Sequence, residues 1–162
     1  MNFNCTTILS TIALTSCALF AQAADIDIKI TKQYLNFPIS HKVDRQVMKM
    51  AVNGQEERKF NIRLADGEPE YWVFSDVSAF KGKTITLSYD GDESLLKQIY
   101  QDDKIAGQDS LYQEHNRPQF HYTTRRGWVN DPNGLIFYEG EYHLFYQHNP
   151  YERDWENMSW GH

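Results

Sequence analysis

One acid in this sequence has neighbours suited to chemistry. Asp131 lies in Gly127-Trp128-Val129-Asn130-Asp131-Pro132-Asn133-Gly134, with aromatic-rich segments on both sides. Pro132 disfavours a helical backbone at Asp131 and pushes it toward an extended form. Asn133-Gly134 tolerates positive φ, so the chain can reverse into the strand that follows. The expected product is a carboxylate fixed on a stiff turn at a strand mouth. Trp128 then offers a flat face for the C–H groups of a sugar. A nucleophilic or proton-transferring carboxylate beside an aromatic platform is what glycoside cleavage uses, together with a second carboxyl group. The plainer alternative is a surface turn in which Asp131 is a solvated acid.

Other polar and aromatic residues fit the same chemistry. Gln147 shares a strand face with His143 and Phe145 by alternation, and its amide can donate to and accept from sugar hydroxyls. It can equally be a half-buried amide bonded to a neighbouring strand. Trp155 and Trp160 flank Asn157 and Ser159, a polar setting that suits a carbohydrate platform, with core packing as the alternative. His143, His148 and His162 do not have the spacing of a metal site, and on a strand His143 and His148 face opposite ways. Tyr71-Trp72-Val73-Phe74 reads as core rather than as a binding face.

The elements that must position these residues are mainly strands. Asp27–Thr31, Phe60–Leu64 and Lys83–Tyr89 alternate at period two, and Val47–Val52 runs into Asn53-Gly54, a strong hairpin signal. Tyr71–Phe74 is a continuous apolar run that suits a strand covered on both faces. Recurring turn signals predict a small antiparallel sandwich. Around Glu93–Gln101 the spacing of Leu95, Leu96, Ile99 and Tyr100 predicts a helix capped by Asp92. The polar stretch Gln101–Asp109 reads as a linker with a boundary near Gly107. Beyond it, Leu135–Tyr138 and Tyr142–Gln147, joined by Glu139-Gly140-Glu141, predict a hairpin.

Composition bounds the rest. The chain has 162 residues, 41% hydrophobic and 14% aromatic, enough for a packed core. A net charge of −6 and the absence of a basic patch argue against nucleic acid as a partner. The apolar run Ile8–Phe20 ending in Ala21-Gln22-Ala23 reads as an export signal cleaved before Ala24, although no Lys or Arg precedes it. Leu14-Thr15-Ser16-Cys17 offers a competing reading, a lipoprotein box with a lipid anchor on Cys17. Cleavage after Ala23 leaves a chain without cysteine.

Taken together, Arg117–Tyr122, Trp128–Gly134, Tyr142–Pro150 and Trp160-Gly161-His162 closely resemble the start of glycoside hydrolase family 32. Residues 25–108 resemble, more weakly, a Bacteroides-type accessory β-domain. The resemblance implies an all-β protein: signal 1–23, a β-sandwich accessory domain 24–108, and at 109–162 the first blade of a five-bladed β-propeller. It implies an exported protein acting by retaining hydrolysis on β-fructofuranosides such as levan, inulin or sucrose, with no cofactor. Asp131 falls on the nucleophile position, Asn130 and Gln147 on positions that bind the terminal fructose. Trp155 falls on a pocket aromatic, and Trp160 lies in the strand that follows; with the Trp128 platform these complete the candidate substrate-binding residues. Val129 stands where Met is more usual, and Glu156 and Ser159 where many members have Gly and His.

The family takes its acid/base from a Glu-Cys segment and a stabilising Asp from an Arg-Asp-Pro segment. Neither pattern occurs here: no Cys follows Cys17, and Arg153-Asp154 precedes Trp155. Glu139, Glu141, Glu152 and Glu156 read as turn or surface acids. The expectation is therefore a front piece of an enzyme that is inactive by itself and prone to aggregate through uncovered sheet edges. The alternative is a secreted, non-catalytic carbohydrate-binding or structural module.

Overall fold

The computed structural model describes residues 23–162, so the export signal and Cys17 lie outside the described residues. The chain is all-β, with three antiparallel sheets and one four-residue α-helix among the described residues. The first sheet holds β1 (Ala24–Lys29), β6 (Thr84–Tyr89), β3 (Gln46–Val52) and β4 (Gln55–Ile62), in that order. The second places β2 (Tyr34–Ile39) between β5 (Tyr71–Asp76) and β7 (Tyr100–Asp102). The third places β9 (Glu141–Asn149) between β8 (Trp128–Tyr138) and β10 (Ser159–Gly161).

Alternation explains the first two sheets. Met48, Met50 and Val52 of β3 and Ile85, Leu87 and Tyr89 of β6 point inward and are buried. Phe60 and Ile62 of β4 join them, and Leu35, Phe37, Ile39 and Val73 of the second sheet complete one apolar core. Asn53 and Gly54 take positive φ in the β3–β4 turn, the backbone a two-residue hairpin requires.

Strand β2 has no counterpart among the sequence expectations. It is buried on both faces, but Asn36 and Pro38 interrupt its apolar run. Asn36 is satisfied internally: its amide donates to the Lys104 carbonyl at 3.3 Å and accepts from Ala106 N–H at 2.8 Å. Pro38 is tolerated because β7 pairs only with Tyr34–Asn36, and the Pro38 carbonyl accepts from Ala65 N–H at 3.0 Å. The predicted helix is real but short. Asp92 caps it by accepting from Ser94 N–H at 2.8 Å, and α1 spans only Glu93–Leu96. Tyr100–Asp102 pair with β2, so ladder hydrogen bonds outcompete a further helical turn.

The third sheet corrects a local expectation. Asn130–Gly134 is not a reversal. It lies inside β8, which begins at Trp128 and contains two register shifts, between Asn130 and Pro132 and between Asn133 and Ile136. The backbone does turn locally, at Asp131 (φ 39°) and Gly134 (φ 60°); the first shift leaves Asp131 unpaired, and the second sets Gly134 and Leu135 against Leu144 alone. Turn-type residues thus serve as bulge residues, because β9 is long enough to keep pairing past them. The chain reverses later, at Glu139 (φ 50°) and Gly140 (φ 88°). Leu135, Phe137, Tyr138 and Tyr142 around that turn remain exposed.

The segment after β9 returns to the first two sheets. Tyr151 stacks on Phe60 with ring centroids 3.8 Å apart, meets Phe37 edge-on, and belongs to their core. Its hydroxyl lies 3.0 Å from Ser75 Oγ.

Candidate functional site

The register of the third sheet brings three of the expected residues into one row. Asn130 on β8 lies opposite Gln147 on β9, and Gln147 lies opposite Trp160 on β10. Directly opposed residues of antiparallel strands share a face, so two amides and an indole stand side by side. Gln147 is half-buried, while Asn130 and Trp160 are exposed. Asp131 follows Asn130 as the unpaired residue of the first bulge and is exposed. A bulge re-aims a side chain that regular pleating would send to the opposite face.

Trp128 sits at the mouth of β8, half-buried, opposite Asn149. Its backbone is held from two directions. Gly127 has φ 86°, and a Cβ there would collide with the Asn149 carbonyl oxygen, so only glycine lets the two backbones approach. His148 donates from Nδ1 to the Trp128 carbonyl at 2.8 Å, which leaves Nε2 as the acceptor nitrogen of the neutral ring. Asn149, fully buried, donates to the Asp154 carbonyl at 2.8 Å and accepts from Tyr151 N–H at 3.0 Å.

Burial holds His148 below the ordinary histidine range, and its bond to the Trp128 carbonyl opposes that only in part. With the folded value depressed, the unfolded chain binds more protons, so this contribution to stability is complete above about pH 6.5 and is lost as pH falls through the folded value. His148→Gln is expected to flatten the decline in urea midpoint between neutral pH and about pH 5. An unchanged slope in the variant would remove His148 from the acid response.

Trp155 does not join the row. It stands on the loop between β9 and β10, 64% exposed. Its segment is tied down on either side by contacts that sequence reasoning missed. Arg45 spreads over three carboxylates: Nε on Glu152 at 2.7 Å, Nη2 on Asp154 at 3.3 Å and Nη1 on Glu156 at 3.3 Å. Arg63 Nε faces the other Glu152 oxygen at 3.4 Å, a charge contact without hydrogen-bond alignment. Glu152 is fully buried, so its reading as a surface acid is corrected: two arginines from the first-sheet segments supply the charge that lets a carboxylate leave water. Partial desolvation works against the Arg45 charge, but the bond to Glu152 and the three nearby acids outweigh it and raise its pKa. Burial, reinforced by the charge of Glu152, pushes the Tyr71 phenol up to about 12. Its hydroxyl lies 2.8 Å from His41 Nε2. The one signal in the sequence was an acid excess, Glu152, Asp154 and Glu156 around a single Arg153.

The three histidines do not converge on one point. His143 Nδ1 meets His162 Nε2 at 2.9 Å with stacked rings, while His148 is engaged with the Trp128 carbonyl. Among the described residues no group of three or more His, Cys, Asp or Glu is arranged to hold a metal ion.

Every expected site residue falls within residues 121–162, which match the model of the glycosyl hydrolases family 32 N-terminal domain. That stretch is similar to glycoside hydrolase family 32 proteins. It is similar to the levanase of Bacillus subtilis, 54% identical over 57 residues, covering 35% of this chain and 8% of that protein. It is similar to an extracellular exo-inulinase of Aspergillus niger, 49% identical over 51 residues (32% of this chain, 10% of that protein). A sucrose-6-phosphate hydrolase of Zymomonas mobilis is 62% identical over 45 residues (28% of this chain, 9% of that protein). The chain therefore matches a tenth or less of the length of these curated relatives. No solved structure matches.

Proposed function

We propose that this chain carries the nucleophile strand and part of the sugar-binding surface of an exported β-fructofuranosidase. Asp131 attacks the anomeric carbon of a fructosyl unit while a second carboxylic acid protonates the departing oxygen. Water then cleaves the glycosyl–Asp131 ester, so the anomeric configuration is retained. Asn130 and Gln147 hold the hydroxyls of the terminal fructose, and Trp128, Trp155 and Trp160 supply apolar faces to the ring. The carrying observation is the row Asn130–Gln147–Trp160 beside a bulged Asp131. That the similar proteins are named for levan, inulin and sucrose phosphate supports fructosides as the substrate class. The name of the Aspergillus protein supports export.

In this reading β8, β9 and β10 form a propeller blade, and the two sheets that share the Met48–Leu87 core form a sandwich. The boundary between the units lies near residue 108.

A graft tests the proposal. Residues 117–162 replace the matching stretch of the Bacillus subtilis levanase, and reducing-sugar release from levan is measured. Retained hydrolysis is expected, and a folded but inactive graft would overturn the assignment. The 162-residue polypeptide itself is expected to release no sugar from sucrose, inulin or levan, because the acid/base and stabiliser motifs do not occur in it. Turnover by the pure polypeptide that Asp131→Asn removes would reverse that expectation.

A further inference from the structure

We infer that Arg45 is a positioning residue for Trp155, and that the N-terminal sheets act as an intramolecular brace for the sugar platform. The role assigned to Trp155 rests on the fructoside reading; the brace itself rests on geometry.

The residues on either side of Trp155 are tied, one after another, to the first two sheets. Tyr151 enters their core. Glu152, Asp154 and Glu156 converge on the Arg45 guanidinium. Asn157 and Asn61 exchange two hydrogen bonds: Asn61 N–H donates to Asn157 Oδ1 at 2.7 Å, and Asn157 Nδ2 donates to the Asn61 carbonyl at 2.9 Å. That side-chain amide occupies both backbone groups of Asn61, as a paired strand residue would. Trp155 is thereby left pointing outward with its flanking residues fixed.

Charge makes the arrangement dependent on Arg45. Three carboxylates within five residues repel one another unless a cation lies among them. Arg45 supplies it with a planar fork that addresses all three, where the compact ammonium of a lysine would serve one at a time. The residue that departs from the usual family pattern takes part directly. Glu156, where many members have glycine, accepts from Arg45 at 3.3 Å and from Asn61 Nδ2 at 3.2 Å. The N-terminal sheets and the altered loop therefore fit one another. An aromatic platform held before the ligand arrives avoids part of the ordering cost of binding.

The test uses the whole 162-residue chain at low micromolar concentration, with no sugar present. Hydrogen exchange is followed by mass spectrometry, and fluorotryptophan labelling reports Trp155, its signal assigned with Trp155→Phe. Arg45→Ala is expected to speed exchange across residues 151–157 on the order of 10²-fold, with β1 and β6 changed by less than about threefold. The Trp155 signal should move while that of Trp72 stays. Arg45→Lys should fall between the two. If Arg45→Ala does not fold, Glu156→Gln removes one arm and should give about a threefold increase in the same segment. Unchanged exchange at 151–157 with an unmoved Trp155 signal overturns the brace, as does acceleration spread evenly over all strands. An inactive levanase graft counts against the fructoside reading and leaves this result untouched.

Discussion

Asp131→Asn, placed in the levanase graft, is expected to lower levan hydrolysis by on the order of 10⁴–10⁶-fold, the scale seen when a covalent nucleophile is removed. The amide is nearly isosteric and occupies the same bulge at φ 39°, a conformation that Asn adopts more readily than most residues. Folding and sugar binding should therefore survive, and the loss should appear in kcat with KM little changed. The chemistry explains the size of the effect. In the proposed mechanism the carboxylate forms a bond to the anomeric carbon, and a neutral amide lacks the charge to stabilise the oxocarbenium-like transition state. A variant within about tenfold of its parent would exclude Asp131 as the nucleophile and leave it a binding role.

Tyr151→Ala is expected to destabilise the 162-residue chain by about 3–5 kcal/mol, the range for deleting a buried aromatic side chain. Tyr151 is 6% exposed, stacked on Phe60, edge-on to Phe37 and hydrogen-bonded to Ser75. Its removal opens a cavity between the first two sheets and detaches the segment that follows β9. Tyr151→Phe keeps the ring and leaves Ser75 Oγ without its partner, and should cost only about 1 kcal/mol. Urea unfolding separates the two. Equal and small losses would mean that the segment from Tyr151 onward is only loosely applied to the core.

Much of the candidate site was legible because alternation is local. Placing Leu135–Tyr138 and Tyr142–Gln147 on a hairpin was enough to put Gln147 on a face with Phe145. The bulge at Asp131 was not legible. Pro, Asn and Gly favour a turn and an interruption within a strand through the same φ preferences, and only pairing with β9 selects between them. In β2, Asn36 and Pro38 broke the apolar signal because their polar and steric needs are met by residues 65 and 104–106, far away in sequence. Glu152 was misjudged for the same reason. An acid is solvated by default, and the two arginines that bury it lie 107 and 89 positions upstream.

Those separations bear on the order in which the molecule is made. The hydrogen bonds between the loop and the early strands join residues 95–111 positions apart. A ribosome releases the first two sheets well before it releases Tyr151. N-terminal units generally fold first during synthesis. The surface carrying Phe60, Asn61, Arg45 and Arg63 can thus be standing when the acidic loop emerges, and it acts as a template on which that loop is laid. A chain refolding from denaturant has no such sequence of events and must find the same long-range contacts by search, with the apolar hairpin at Leu135–Tyr142 already exposed.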